Sequence, residues 1–334
     1  MAGLKTIFSR NGTPLTDFRA SASRSSLLNN IGEAVFSIAT NSVKCKREYL
    51  EYGNYVLFRH GALGDWVGVI DTPRIWRNGY VEVHAYEVPF LLQYRIPPLN
   101  DVVDGSPGDR FEQLLRIANE QADTLLRPRS VAKTGAVTSE KVSESIYTHM
   151  RKISEANNYD WVCSPIIDGN GLLTVAIDWL ERAGLVTDLE LTQGKNILYG
   201  DTPLEESGEL VSYAEAVSDP QNEDGSLSSS YSVDTGYGFR AVRTVYSGAQ
   251  ELAALDSYAK EVVQKNSSPS LSTPLTVVDF GSTFENIRLG NVVKYRYSNV
   301  GFTEAGLGTT NYLRVMGFRF DERLGTLELF TGKV

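Results

Sequence analysis

The last quarter of the chain leaves the least freedom of fold. Leu252, Leu255, Ala259, Val262 and Val263 recur at helical spacing between Glu251 and Lys265, so one face of that segment is apolar and the spacing predicts a helix. Ser267-Ser268-Pro269 follows, and a residue before proline is pushed out of the helical region, so the helix must stop there. Four short apolar runs come next: Leu275 to Phe280, Asn291 to Tyr297, Tyr312 to Phe320 and Thr326 to Phe330. Each has the length of a strand and is bounded by glycine or charge, which predicts one helix feeding a small antiparallel barrel. In the third run Tyr312, Arg314, Met316, Phe318 and Phe320 share one face, while Leu313, Val315, Gly317 and Arg319 share the other. The turn Asp321-Glu322-Arg323-Leu324-Gly325 then reverses the chain.

At 334 residues the chain is too long for one ordinary core and suits two or three domains. No run reaches the length needed to span a bilayer, and Met1-Ala2-Gly3-Leu4-Lys5 lacks a hydrophobic signal core; the expectation is a soluble protein not exported by the usual route. Cys45 and Cys163 lie far apart without metal-type spacing, which predicts two buried thiols and excludes a disulfide scaffold. With 41 acidic against 32 basic side chains the formal charge is −9, which argues against a surface built to grip phosphates. In a conduit for DNA an acidic wall would avoid retarding the moving backbone, and that is the expectation for any channel this chain lines.

The first hundred residues read as an all-β module. Val35 to Ala39, Tyr55 to Arg59, Trp66 to Ile70 and Tyr80 to Ala85 are short apolar or β-branched runs. Ile96-Pro97-Pro98 and the polar tract behind it mark a boundary, giving a first module over residues 1–105. From Phe111 the period becomes helical through Leu114, Leu115, Ala118, Ala122, Leu125 and Leu126, with Pro128 as the stop. A second helix over Val142, Ile146, Met150 and Ile153 is expected to start at a cap on Thr138 or Ser139 and to end at Asn157-Asn158. Tyr159 to Ile167 and Leu172 to Trp179 flank Asp168-Gly169-Asn170-Gly171 as a hairpin. Residues 106–185 are therefore an α+β insert, and residues 186–334 a second β-module. Within that module residues 200–238, rich in Glu, Asp, Ser and Gly, are expected to form an exposed excursion with little to bury, ahead of a helix over residues 249–265.

Ile287-Arg288-Leu289-Gly290-Asn291-Val292-Val293 before one strand and Leu313-Arg314-Val315 opening the next resemble the closing barrel of the baseplate-hub and tail-tip hub proteins of tailed bacteriophages and related contractile injection systems. Upstream, Trp66-Val67-Gly68, the hairpin partner Gly79 to Tyr86 and the segment Phe90 to Arg95 are similar to the first barrel of the same hubs, and Gly194 to Leu198 is similar to the opening strand of the second. The resemblance implies a β-rich α+β fold of two small antiparallel β-barrel modules with an α+β insert between them. It marks Trp66, Gly68, Arg95, Leu289, Gly290, Arg314 and Val315 as structural motif residues. It further implies a virion protein of the tail tip or baseplate, assembled in the bacterial host cytoplasm. There a homotrimer would ring the tail channel and adapt a sixfold tail tube or distal tail ring to a threefold tip. Its partners would be tube or distal tail protein, tape-measure protein and tip, fibre or spike proteins, with DNA only as passing cargo. The acidic residues Glu205, Glu206, Glu209, Asp219, Glu223 and Asp224 are the candidate partner-contact loop.

Chemistry for catalysis is not legible. His60, His84 and His149 are dispersed, and no HExxH, GxSxG or phosphate-loop pattern occurs. Asp168-Gly169-Asn170-Gly171 lacks the ligands that would complete a calcium loop and reads as a turn. Glu205-Glu206 and Glu209 read as a solvated face rather than a glycosidase pair. In Ile75-Trp76-Arg77, Tyr295-Arg296-Tyr297 and Phe318-Arg319-Phe320 the alternation predicts packed aromatics and solvated arginines. The expectation is a non-enzymatic structural protein without cofactor or metal. A carbohydrate- or ligand-binding β-protein is the alternative. A tail-associated peptidoglycan hydrolase is disfavoured because the chain stops at Lys333-Val334 directly after the final strand.

Overall fold

The computed structural model describes residues 3–98, 101–198, 204–206, 211–218, 227–234, 239–246, 252–266, 270–272, 275–297 and 309–332. They belong to two compact units, residues 1–202 with 273–334, and residues 203–272. The first unit opens with β1 (Leu4–Phe8), β2 (Pro14–Arg19), β3 (Ala22–Leu27), β4 (Glu33–Ala39), β5 (Tyr55–Phe58), β6 (Trp66–Arg77) and β7 (Tyr80–Glu87). A 3-10 turn over Val88–Tyr94 leads into β8 (Val102–Gly105), α1 (Pro107–Gln121), β9 (Leu126–Val131), β10 (Thr138–Lys141), α2 (Ile146–Asn157), β11 (Asp160–Ile167), β12 (Leu173–Leu180) and β13 (Val186–Thr192). The second unit holds β14 (Leu204–Glu206), β15 (Tyr213–Ser218), β16 (Ser228–Ser232), β17 (Ala241–Tyr246), α3 (Leu252–Asn266) and β18 (Ser270–Ser272). The chain returns to the first unit with β19 (Leu275–Val278), β20 (Val292–Tyr297), β21 (Thr309–Asp321) and β22 (Thr326–Gly332).

Twelve strands of the first unit form one sheet in the order β13-β20-β21-β3-β4-β7-β6-β5-β1-β2, with β22 also on β21 and β19 on β22. Almost all neighbours are antiparallel; β13 runs parallel to β20. The long strand β21 joins the two ends of the sequence. Its first half pairs with β20, Gly317 to Asp321 pairs with Leu27 to Ser23 of β3, and β22 runs beside Arg314 to Asp321. Among the described residues the sheet forms no closed barrel, and its β-rich, largely antiparallel character is what the sequence led one to expect.

The centre of the sheet is covered on both faces, and the pleat sorts its side chains between two cores. On β5, Val56 and Phe58 join Ile7, Phe36, Trp66 and Ile70 on one side. Tyr55 and Leu57 point the other way, into the insert, among Phe111, Leu114, Ile146, Trp161 and Trp179. The insert is a three-stranded sheet, β11-β12-β9, with β9 parallel to β12, together with α1 and α2. Trp179 stacks with the rings of Phe111 and Tyr159, at centroid distances of 4.6 and 5.6 Å. A third core lies among β19 to β22, around Val277, Val293, Val315, Phe320 and Leu329.

Several elements differ from the sequence reading for identifiable reasons. Helix α1 ends at Gln121, because Asn119 turns its side chain to Thr124 and to the Leu126 carbonyl and Leu125 takes a positive φ of 58°. Leu126 and Pro128 then sit in β9. Thr138 and Ser139 belong to β10, and the cap of α2 is Ser145, whose hydroxyl accepts from the Thr148 amide. On β21 the expected faces swap part-way. A bulge between Val315 and Gly317 inserts one residue, so Leu313 and Val315 are buried and, beyond it, Phe318 and Phe320; one extra residue reverses the parity of everything that follows. Trp76, expected to pack, is 69% exposed near the tip of the β6–β7 hairpin. Both cysteines are free and only half-buried.

The second unit buries more than the acidic tract promised. Strands β16-β15-β17 form a small sheet with β17 parallel to β15. Helix α3 packs Leu255, Ala259 and Val263 onto Val211, Ala214 and Ala216, while Leu252 at its start stays 55% exposed. Strands β14 and β18 pair antiparallel, Leu204 with Ser272 through Glu206 with Ser270, so the chain enters and leaves this unit through one two-stranded ribbon.

Candidate functional site

The motif residues of the closing strands converge on a joint with the insert. Gly290 has a φ of +82°, and a Cβ there would stand 2.3 Å from the Ala183 carbonyl oxygen. Only glycine serves such a position, since the backbone conformation and the close approach both exclude a side chain. The Gly290 amide donates to the Val315 carbonyl, the Val315 amide to the Asn291 carbonyl, and the Val292 amide to the Leu185 carbonyl. Asn291 Oδ1 accepts from the Leu185 amide at 2.9 Å. Across this junction the Arg314 guanidinium reaches the Asp160 carboxylate and the Ala183 carbonyl. Asp160, buried, also accepts from the Ala183 amide at 2.7 Å and from Asn29 Nδ2 at 3.1 Å. Arg314 and Asp160 thereby tie β21, the insert and the turn after β3 at one point, where a charge-assisted pair gives geometric definition.

Trp66 and Gly68 form a second such fit. Trp66 is 3% exposed, donates its indole N–H to the Ser25 carbonyl at 3.0 Å and packs on Phe58. Its ring lies over Gly68, where a Cβ would come within 2.3 Å of it. The aromatic-x-glycine pattern is thus a steric requirement, because residues two apart on a strand share a face. Arg95 follows the 3-10 turn, and its carbonyl accepts the Ile146 amide at the start of α2. Leu289 packs against the C-terminal core and, with Trp66, Glu87, Trp161 and Cys163, lines a cavity of about 40 Å³.

Sequence reasoning missed a buried charge cluster where β1 and β3 meet β21. Lys5 Nζ donates to both carboxylate oxygens of Glu322, at 2.6 and 2.7 Å, and lies over the Phe58 ring. Burial lowers the Lys5 ammonium from its ordinary range, although Glu322 works to restore it. Burial also holds the nearby Arg24 guanidinium down to about 10, against the attraction of Glu322, Asp65 and Glu87. Glu87 accepts from the Ser26 hydroxyl and the Gly32 amide. Burial nevertheless pushes its carboxyl up to about 7. No local spacing could have disclosed these contacts, since Lys5 and Glu322 lie 317 positions apart.

The three histidines occupy separate surroundings. His60 packs edge-on against Phe320, His84 Nδ1 faces Glu33 Oε1 at 2.8 Å, and His149 is buried in α2. Among the described residues no group of three or more His, Cys, Asp or Glu is placed to hold a metal ion, and no helix is long and apolar enough to cross a membrane. Asp168 closes its loop as a turn, accepting the Asn170 and Leu172 amides. An open groove of about 380 Å³ lies along β1 and β2, lined by Phe8, Leu15, Arg59 and Ile167 among others. Of the acidic partner-loop candidates, Glu205 and Glu206 lie on β14; Glu209, Asp219, Glu223 and Asp224 lie outside the described residues.

Charge is divided unevenly along the chain. Residues 1–98 and 273–334, which supply eleven of the twelve strands of the large sheet, carry 18 basic and 14 acidic side chains. The acidic excess lies in residues 99–272, with 27 acidic against 14 basic. The total of −9 therefore does not by itself describe an acidic channel wall built by the sheet.

Comparison with solved structures places this architecture. A prophage tail protein from Listeria monocytogenes EGD-e superposes with a TM-score of 0.63 at 11% identity, covering 100% of this chain and 95% of that one. The 43 kDa tail protein of prophage MuSo2 from Shewanella oneidensis gives 0.64 at 10% identity, covering 98% of each chain. It is the fold of phage tail proteins. A third match to this tail-protein fold, at 0.52 and 11% identity over 94% of this chain and 73% of the other, is an Escherichia coli type VI secretion component described as similar to the T4 tail proteins gp27 and gp5. The resemblance read from the strand motifs thus holds at the level of fold. No protein-family model and no curated protein matches the sequence.

Proposed function

We propose that this chain is a non-enzymatic structural hub of a phage tail tip or baseplate, three copies of which ring the tail channel. The observation that carries the reading is the full-length match to two prophage tail proteins, which leaves almost none of either chain unaccounted for. In this reading the halves of the large sheet on either side of the β21–β3 seam act as two barrel-like modules, residues 1–105 and 186–334. Three chains then offer six similar modules to a sixfold tail tube or distal tail ring and a threefold face to the tip. Among the described residues β2 pairs only with β1 and β13 only with β20. Uncovered edges of this kind favour assembly with further chains. The insert and the second unit would carry contacts to tape-measure, tip, fibre or spike proteins, and DNA would pass as cargo. The particle would be assembled in the host cytoplasm and the chain retained in the virion.

Native mass measurement of the protein, alone and with its tail partners, tests the reading. A trimer in either sample supports it, and a stable dimer contradicts it. Hydrolysis of peptidoglycan or capsular polysaccharide that disappears on changing a single residue would overturn the non-enzymatic assignment.

A further inference from the structure

His149 takes no part in the joint, yet its surroundings are specific. It lies in the first turn of α2, buried, with Nε2 3.1 Å from the Ser143 amide nitrogen and 3.2 Å from that of Glu144. Backbone amides only donate, so Nε2 is the acceptor and carries no proton, which leaves the ring proton on Nδ1. Nδ1 faces Glu140 Oε1 of β10 at 3.5 Å, and the other oxygen of Glu140 takes Arg110 Nη1 of α1 at 3.1 Å. Burial works to raise the Glu140 carboxyl, but His149, Arg110 and Lys152 outweigh it and hold the group below its ordinary range. The other charged neighbours are Glu144, on the loop, and Lys152 of α2, paired with each other at 2.8 Å.

We propose that His149 is a proton-operated latch on the segment 142–145, closed when Nε2 accepts the two amides and opened when that nitrogen is protonated. A proton taken from water onto Nε2 removes the lone pair that both amides use and sets an N–H against two N–H groups. The two hydrogen bonds are lost together, because a buried donor facing donors has no local remedy. The consequence reaches beyond the loop. Val142 donates to the Asp101 carbonyl and Ile146 to the Arg95 carbonyl, both at 2.9 Å, and these bonds tie the insert to the chain leaving the first sheet. Acidification thus loosens the connection between the first sheet and the insert while leaving the cores of each in place.

Amide hydrogen exchange on the full chain, expressed as protection factors at pH 7.5 and pH 5.0, tests the latch. Protection of Ser143 and Glu144 should fall about tenfold or more between the two pH values, while amides in the interior of α1 hold theirs. In His149→Gln the side-chain carbonyl can still accept the amides but cannot titrate, and protection there should be unchanged between the two pH values. If wild-type protection is the same at both pH values, or if His149→Gln loses it as wild type does, the latch is wrong. Should that variant fail to fold, imidazole nitrogen shifts of the wild type decide: a protonated Nε2 at pH 7.5 overturns the proposal, and an unprotonated one that gains its proton as the amides lose protection supports it.

Discussion

Lys5 and Glu322 meet at 2.6 Å in the interior, with the Lys5 side chain 0% exposed, and join the first strand of the chain to the turn that follows β21. The Ala22 and Gly3 amides also point to Glu322 Oε2, each at 3.3 Å. One carboxylate therefore gathers the start of the chain, the start of β3 and the C-terminal strands. Breaking a buried pair is far more costly than replacing it, because the surviving charge is left without compensation.

Lys5→Met should accordingly destabilise the protein by about 3 to 5 kcal/mol in denaturant unfolding. Lys5→Met combined with Glu322→Gln should recover part of that loss. A single substitution costing no more than an exposed ion pair would show that the two groups are solvated.

Glu87 makes stability depend on pH near neutrality. Its folded carboxyl titrates at about 7, above its ordinary value, so the native state binds the proton more tightly than the unfolded chain. Its contribution is fully present below the ordinary carboxyl range and is lost as pH rises through about 7. Thermal unfolding should therefore show a fall in stability between pH 5 and 8 that Glu87→Gln removes. A slope unchanged in the variant would assign the effect to another group.

At the joint, Arg314→Met should strand the Asp160 carboxylate and cost about 3 to 5 kcal/mol. Arg314→Lys should rescue it only in part, because a lysine cannot span Asp160 and the Ala183 carbonyl with one planar group. Gly290→Ala, caught between a positive φ and the Ala183 backbone, should destabilise more than an exposed glycine substitution does. Equal stability of wild type and all three variants, read from chemical unfolding, would dissolve the joint as a structural element.

The second unit has a core of its own and a hairpin-like stem, so it should be removable. Glu206 pairs with Ser270, and replacing residues 207–269 with Asn-Gly would close that stem with a two-residue turn. The shortened chain should remain soluble and melt within a few degrees of the parent, roughly the shift that 1 kcal/mol produces in a chain of this size. Insoluble or unfolded product would show that the sheet depends on the inserted unit.

How far the sequence reveals this architecture depends on the range of the interactions. The strands from Leu275 onward and the Trp66–Gly68 pattern were legible because alternation and glycine placement are local. The parity of β21 was not, because the bulge at Met316 shows only in the register of β21 with β22. Ser145 is not legible as the cap, because Thr138 and Ser139 offer the same chemistry a few residues earlier and only the pairing of β10 with β8 removes them from contention. Arg314 is legible as a motif residue, but its partner Asp160 comes only from the fold. The acidic tract looked unable to fold because its apolar residues, Val211, Ala214 and Ala216, are few and find their partners on α3, some forty residues later.

The most direct measurement is an electron-microscopic reconstruction of the particle that contains this chain. Three copies should surround the tail channel at the tip or baseplate, with β2 and β13 of each copy engaged by neighbouring chains. A chain found off the channel axis, present in twofold or sixfold arrangement, or missing from the tail would contradict it.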